Sequence, residues 1–384
     1  MKVLQVHNFY QQAGGEDQVY EAECNLLRSH GHDVLRYTAR NDAITGMSYI
    51  STGIRTVWNR ETYRAVSNLL SKEKPDVVHA HNTFPLISPA LHYAVAAQRI
   101  PLVQTLHNYR LICTGATLYR DGRVCHDCLE SFTLWPAVKH ACYRNSRRAT
   151  AAAGSMILIH RMARTWSNRV HTYIALTNFS KEKFVEGGLP ADRITIKPNF
   201  VPSDPGIGKG HGGYALFAGR LSEEKGVRTL LRAWERLPGI PLKIAGDGPL
   251  RPFVEEQAGA RRHVEYLRAC EHAAVMELLK QARFLVFPSE WYEGLPTTII
   301  EALACGTPVI ASALGSMNEL IQDGANGRLF TPRDADDLAR CAEAMMQGSN
   351  EMRSRARACY ERSYTAERNY ELLMSIYQNA SCRA

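Results

Sequence analysis

Two basic and two acidic side chains in the second half of the chain are spaced as a diphosphate and its flanking hydroxyls would require. Gly219-Arg220-Leu221-Ser222-Glu223-Glu224-Lys225-Gly226 follows an apolar run and precedes an amphipathic one. Glycine at that point lets the backbone approach a ligand. An Arg and a Lys five residues apart, ahead of a helix start, can both reach one diphosphate. An ordinary basic loop is the plain alternative. Next comes Gly246-Asp247-Gly248-Pro249, a tight turn. The segment Pro288-Ser289-Glu290-Trp291-Tyr292-Glu293-Gly294-Leu295-Pro296-Thr297-Thr298-Ile299-Ile300-Glu301 then puts Glu293 in a loop and Glu301 about one turn into a helix. The N–H groups of Thr297 and Thr298 are free at that helix start. Phosphate can sit there while the two carboxylates hold hydroxyls of flanking sugars. Carboxylates at this spacing are common by chance, but not about seventy residues after a phosphate-loop candidate in the same domain.

The first half offers weaker signals. Gly14-Gly15-Glu16-Asp17 follows the first apolar run, and its backbone N–H groups can approach a phosphate or simply form a turn before a helix. His107 ends a strand, where a lone histidine is catalytic or structural; His79 and His81 belong to the core or to the acceptor side. Four of the ten cysteines fall within thirty residues, as Cys113-x11-Cys125-x2-Cys128-x13-Cys142, with His126 and His140 adjacent. A C-x2-C hairpin with two outlying cysteines can close a tetrahedral thiolate site. A reducing cytoplasm favours metal over disulfides there. The expectation is a structural zinc with no open coordination position, hence no catalytic metal; the alternative is a loop that merely contains cysteine. The six remaining cysteines, Cys24, Cys270, Cys305 and Cys341 among them, read as buried thiols.

Elements at regular spacing must carry these residues. Lys2–Val6, Asp33–Tyr37, Asp76–Ala80, Leu102–Leu106 and Thr172–Ala175 read as short buried strands, with helices such as Asp17–His30 and Ser88–Gln98 between them. The scheme repeats with strands at Tyr214–Ala218, Leu242–Ala245, Val264–Leu267, Phe284–Phe287 and Pro308–Ala311, and helices at Val227–Leu237, Glu271–Gln281 and Thr298–Cys305. Strand, helix, strand at this spacing means parallel sheets covered on both faces, with ligands at the carboxyl ends of the strands. Proline and glycine crowd residues 197–213, so an α/β domain at 1–196 and a second at 214–362 should meet at that linker. An amphipathic segment at 363–384 would return to the first domain, the two domains facing each other across a cleft.

Composition narrows the class. The chain has 384 residues, 45% hydrophobic and 22% charged, which excludes a wholly disordered, collagenous or disulfide-scaffold protein. The longest apolar run, Ala149 to Ile159, is too short to span a bilayer. The first residues read as a strand, not a secretory signal, and a cytoplasmic protein is expected. The net charge of +8 is uneven: residues 1–200 carry about +9 and the rest about −1. No acidic residue lies between Glu130 and Glu182, a stretch holding Lys139, Arg144, Arg147, Arg148, Arg161, Arg164, Arg169 and Lys181. Thr150–Arg169 adds Met156, Ile157, Leu158, Ile159, Met162 and Trp166, so segment 139–169 can lie on an anionic membrane surface, or form a solvated basic face. No nucleic-acid module is present, and nucleic acid is not an expected partner.

Gly219-Arg220-Leu221 with Lys225-Gly226, Gly246-Asp247-Gly248-Pro249, and Glu293 with Glu301 together resemble glycosyltransferase family 4, retaining enzymes of the GT-B architecture that use nucleotide-sugar donors. Asp76-Val77-Val78-His79-Ala80-His81, Thr105-Leu106-His107-Asn108 and Lys197-Pro198-Asn199 also have family counterparts, so the resemblance spans nearly the whole chain. It implies that Arg220 and Lys225 neutralise the donor diphosphate, the leaving group, without a divalent metal. Glu301 would bind the ribose hydroxyls, and the base, of a UDP- or GDP-sugar, would lie near Tyr266–Ala269. Glu293 would hold the donor sugar with N–H groups of Gly294, Thr297 and Thr298. Gly15 and Asn199 would complete the donor site, and His107 would lie beside the transferring hexose. The chain departs from the family at Pro296, where glycine is frequent and an N–H donor is lost. The implied reaction is metal-independent front-face transfer to a glycan or lipid-linked glycan in polysaccharide or glycolipid synthesis. A sugar-nucleotide epimerase of the same fold, or a non-catalytic membrane or nucleic-acid binding module, is the alternative.

Overall fold

A computed structural model of the chain describes residues 1–11, 14–347 and 350–383. It divides into two compact units, the first of Met1–Arg120, Cys125–Pro198 and Asn369 onward, the second of Asp121–Val124 and Asn199–Arg368.

Eight strands belong to the first half: β1 (Lys2–Phe9), β2 (Asp33–Arg40), β3 (Val77–Asn82), β4 (Leu102–Thr105), the short pair β5 (Tyr119–Arg120) and β6 (Arg123–Val124), β7 (Thr172–Ala175) and β8 (Ile194–Ile196). Six of them form a parallel sheet in the order β2-β1-β3-β4-β7-β8. Six more, β9 (Ala215–Ala218), β10 (Leu242–Ala245), β11 (Val264–Arg268), β12 (Phe284–Phe287), β13 (Val309–Ser312) and β14 (Gly327–Phe330), form the second parallel sheet, ordered β11-β10-β9-β12-β13-β14. β3, β4, β7, β9, β12 and β13 are buried along their whole length, as strands covered on both faces by helices must be.

Strand order says where ligands belong. In an open parallel sheet the crevice opens at the carboxyl ends of the strands where the order reverses. That point lies between β1 and β3 in the first sheet and between β9 and β12 in the second. The loops leaving β9 and β12 carry Lys225 and Glu293; β3 ends with His81 and Asn82.

From Asn369 onward, helix Ala366–Arg383 belongs to the first unit. Leu373, Ile376, Tyr377 and Ala380 recur at helical spacing and pack on Val3 of β1, Val77 of β3, Val103 of β4 and Ile174 of β7. The second core gathers around Trp234, which is fully buried and donates its indole N–H to the Ile240 carbonyl at 3.0 Å.

The basic stretch behaves differently from its expected amphipathic role. Helix Arg147–Met162 turns Met156 and Ile157 into the core, and Trp166, on the short helix Thr165–Asn168, is buried with its indole N–H on the Ile157 carbonyl. These three side chains therefore pack the first unit and offer no lipid-facing surface. Ile159 and Met162 stay exposed, and they are joined by residues the sequence pattern had not marked. On helix Tyr49–Val57, which packs on Arg147–Met162, Tyr49, Ile50 and Ile54 are 83%, 77% and 64% exposed. Among the described residues no helix is long and apolar enough to cross a membrane.

Candidate functional site

In the second unit, close backbone packing brings the loops after β9, β10 and β12 together. Gly246 has φ +152°, and a Cβ there would lie 1.9 Å from the Gly219 carbonyl oxygen, so only glycine permits the contact. Gly226, φ +70°, is held equally close to the Pro288 carbonyl, while Glu290 N–H donates to the Glu224 carbonyl at 2.8 Å. The β9 loop is thereby stitched to the β12 loop.

That stitching sets the charges. Lys225 Nζ donates to Glu293 Oε1 at 2.6 Å, and Ser289 Oγ donates to the same oxygen at 2.7 Å. Glu293 is buried, its backbone carbonyl accepting from Ser316 Oγ at 2.8 Å. Lys225 Nζ also lies 5.4 Å from the ring centres of Phe287 and Trp291, a favourable place for a cation. The Trp291 indole N–H is buried without a partner. Arg220 is exposed, and among the described residues no carboxylate lies within ion-pair distance of it. The site thus holds one cation already neutralised and one free.

Asn199 braces the same loop from below, its Nδ2 donating to the Leu295 carbonyl at 3.3 Å while its Oδ1 is buried without a partner. Pro296 precedes helix Thr297–Ala304, and Ile299 N–H is taken by the Pro296 carbonyl. The first-turn donors left over are those of Thr297 and Thr298, both half-buried, beside Gly294. Glu301 follows one turn on and accepts from His272 Nε2 at 3.0 Å. Near the expected base position, Tyr266 donates its hydroxyl to the Gly246 carbonyl at 3.0 Å. Ser289, Ser316 and His272 were not evident from spacing. Ser289 lies four residues before Glu293, a separation that could have marked it.

The first unit builds a separate polar site. A pocket is lined by His81, Thr105, His107, Asn108, Arg110 and Met156 among others. A chain of hydrogen bonds fixes its histidines. Gln5 donates from Nε2 to Tyr377 OH at 3.1 Å and accepts at Oε1 from His81 Nε2 at 3.0 Å. His81 Nδ1 must then accept from His107 Nε2, 3.0 Å away, which leaves His107 Nδ1 as a lone-pair acceptor. Burial, then the charges of His7 and Lys197, lower the His107 pKa to about 3, so the ring is neutral. His79 engages both nitrogens, with Tyr377 OH and with Thr105 Oγ1, each at 2.8 Å. Glu23 lies beside His79 and His81 and pairs with the buried Lys197 at 3.4 Å. All four imidazole nitrogens of His79 and His81 are engaged, while Glu23 Oε1 beside them is buried without a hydrogen-bond partner.

Gly15 begins helix Gly15–Ser29. The Gly14 N–H is already donated to Asp17 Oδ2 at 3.0 Å, and Asp17 Oδ1 lies 2.6 Å from His7 Nε2. Asn108 Nδ2 donates to Glu16 at 2.9 Å. Burial raises the Glu16 pKa. Cys113, Cys125, Cys128 and Cys142 are free thiols of the first unit. Among the described residues no three of these sulfurs lie within 4.8 Å of one another.

Known proteins match this chain in sequence and in fold. Residues 13–204 match the model for Glycosyltransferase Family 4, and residues 208–362 that for Glycosyl transferases group 1. The glycogen synthase of Mycobacterium tuberculosis is 28% identical over 304 residues, covering 75% of this chain and 64% of the relative. The chain therefore spans less than two-thirds of that relative's length. The D-inositol 3-phosphate glycosyltransferase of Mycolicibacterium smegmatis is 25% identical over 79% of this chain and 67% of its own. Among solved structures, Anabaena Alr3699/HepE in complex with UDP superposes with a TM-score of 0.69 at 17% identity, covering 98% of this chain and 100% of that one.

Proposed function

We propose, for a chain that belongs to glycosyltransferase family 4, that it moves a hexose from a nucleotide-diphosphate sugar to a hydroxyl of a glycan or lipid-linked glycan, with retention of configuration. One observation carries the reading: at the sheet's order reversal, a free arginine, a lysine–glutamate pair and a helix N-terminus come from loops stitched together by close glycine contacts.

In this reading Arg220 and Lys225 take the charge of the departing diphosphate, with the N–H groups of Thr297 and Thr298 beside them. Lys225 exchanges part of its contact with Glu293 for phosphate, and the released carboxylate oxygen accepts from hydroxyls of the donor sugar, with Gly294 alongside. Glu301 takes the ribose hydroxyls in place of His272. Asn199 keeps the Glu293 loop at its height. The acceptor hydroxyl attacks on the side from which the diphosphate leaves, and a leaving phosphate oxygen takes its proton. No divalent metal has a part. In the first unit, Gly15 offers backbone donors, and neutral His107 accepts a sugar hydroxyl at Nδ1 instead of carrying charge.

The UDP bound to the Anabaena protein supports a uridine donor, and the sugar-transfer names of the relatives support the reaction class. The exposed Tyr49, Ile50, Ile54, Ile159 and Met162, beside the basic segment 139–169, support peripheral docking on an anionic membrane where lipid-linked acceptors reside. Calorimetric titration with a panel of UDP- and GDP-sugars tests the reading. One donor should bind selectively and lose affinity in Arg220→Ala, and the product anomer should match the donor's. Absence of binding across the panel would overturn it.

A further inference from the structure

An unbroken run of hydrogen bonds leaves the first-unit pocket at Thr105 and returns to it at His107, through His79, Tyr377, Gln5 and His81. We propose that Tyr377, its middle link, is a positioning residue: it ties the proton on His79 to the proton on His107, so that His107 keeps Nδ1 unprotonated for a ligand. The benefit to transfer rests on the reading above; the proton arrangement does not.

Alternation puts these groups on one side of the first sheet. Val3 and Gln5 on β1, Val77, His79 and His81 on β3, and Val103 and Thr105 on β4 stand two residues apart, so each set shares a face. Register joins the sets, with Gln5 opposite His79 and His79 opposite Val103. The valines of that face pack on helix Ala366–Arg383, and Tyr377 of the same helix reaches the polar residues. Gln5, His79 and Tyr377 are fully buried, where an unmatched donor or acceptor is costly.

A neutral imidazole has one proton and one lone pair, and a phenol has one proton. Burial lowers the pKa of His79, His81 and His107, so these rings are neutral. The Gln5 amide nitrogen is on Tyr377 and its oxygen on His81, which sets the order. His107 Nε2 gives to His81 Nδ1, His81 Nε2 to Gln5 Oε1, and Gln5 Nε2 to the Tyr377 oxygen, at 3.0, 3.0 and 3.1 Å. The Tyr377 hydroxyl then gives to His79 Nδ1, and His79 Nε2 to Thr105 Oγ1, each at 2.8 Å. All three rings carry their proton on Nε2. Glu23 Oε1, 3.6 Å from His79 Nδ1 and buried without a partner, fits a nitrogen that has no proton to give.

The opposite order turns the Gln5 amide over, moves all three protons to Nδ1 and makes His107 a donor. A mixture of the two orders fails at Tyr377. Its single proton would have two claimants or none, and one group would be left unmatched in the core. The two halves of the run are therefore coupled through this hydroxyl.

Long-range proton–nitrogen NMR of the full chain, labelled with ¹⁵N-histidine, reads the arrangement directly, with signals assigned from His79→Gln and His107→Gln. In the parent, His79, His81 and His107 should each show a protonated Nε2 and an unprotonated Nδ1. Tyr377→Phe keeps the ring in the core but cuts the run. His79 should then move its proton to Nδ1, toward Glu23, and His107 should become a mixture, because the amide has lost the oxygen that held it. Tyr370→Phe removes a hydroxyl from the same helix, where it meets His32 at 2.9 Å, and should leave all three rings as in the parent. Unlike tautomers on His79 and His107 in the parent, a protonated Nδ1 on His107, or a Tyr377→Phe spectrum matching the parent's, overturns the proposal. Should Tyr377→Phe fail to fold, the parent still decides, since uncoupled rings have no reason to agree. No donor takes part in these readouts, so failure here is distinct from failure of the calorimetric test of transfer.

Discussion

Lys225 Nζ stands 2.6 Å from Glu293 Oε1, and the two groups assigned to opposite ends of the donor hold each other. The carboxylate is buried and shares its oxygen with Ser289. The ion pair holds the lysine 5.4 Å from the centres of two aromatic rings, which sets where its charge sits.

Glu293→Gln tests the carboxylate. The amide keeps the shape and the Ser289 contact but loses the charge that positions Lys225. Steady-state kinetics should show kcat down about a hundredfold, with Tm lowered by only about 2–4 °C. An unchanged kcat would remove Glu293 from the reaction.

Arg220 and Lys225 should separate cleanly. Arg220→Ala removes an exposed cation with no internal carboxylate, so donor Kd should rise about 10- to 100-fold with Tm unmoved. Lys225→Ala also strands a buried carboxylate and should cost about 2 kcal/mol of stability. Lys225→Ala combined with Glu293→Gln should recover most of that loss in a denaturant titration, as expected for coupled neighbours.

Acid should destabilise the first unit through neutral histidines. Burial lowers the pKa of His92 to about 4 and that of His107 to about 3, and it pulls His79 and His81 down as well. A folded-state pKa below the unfolded value of about 6.5 makes the unfolded chain the better proton binder. The stability these rings confer is therefore full above pH ~6.5 and drains as pH falls toward 4. His92 alone accounts for about 3 kcal/mol by pH 4. Urea unfolding between pH 7 and 4 should show this slope, flattened in His92→Gln. A flat parent profile would mean that the rings protonate in the folded state.

Membrane docking should depend on Ile50 and Ile54. With both changed to glutamate, sedimentation with vesicles containing about one-third anionic lipid should fall at least tenfold, with far-ultraviolet dichroism and Tm unchanged because both side chains are solvent-exposed. Binding by the parent should weaken as salt rises. Equal binding by both proteins would place contact elsewhere.

Much of the scaffold was legible because strands buried on both faces read as short apolar runs. Each of the ten expected strand segments contains one. β14 escaped because Gly327 and Arg328 interrupt its pattern at a sheet edge, and β8, Ile194–Ile196, because three residues show no period. Lys225 and Glu293 were expected in loops, and they lie in the loops after β9 and β12. Their contact with each other was not foreseen, since β10, β11 and the helices between separate the loops in sequence while β9 and β12 adjoin in the sheet. Met156, Ile157 and Trp166 misled for a related reason. Periodicity marks an apolar side chain as needing cover, but not whether protein or lipid supplies it. Helix Tyr49–Val57, lying over the same segment, settles that from another part of the chain.

The helix Ala366–Arg383 carries a consequence for synthesis. Its Leu373, Ile376, Tyr377 and Ala380 complete the core around Val3, Val77 and Val103, yet they leave the ribosome after the entire second unit. The earliest-made strands must wait, partly uncovered, through translation of some 170 residues, a delay on the order of ten to thirty seconds. The later-made unit, drawing almost wholly on contiguous chain, can finish first. Birth order and maturation order are thus reversed, and the nascent first sheet is the segment most in need of chaperone shelter.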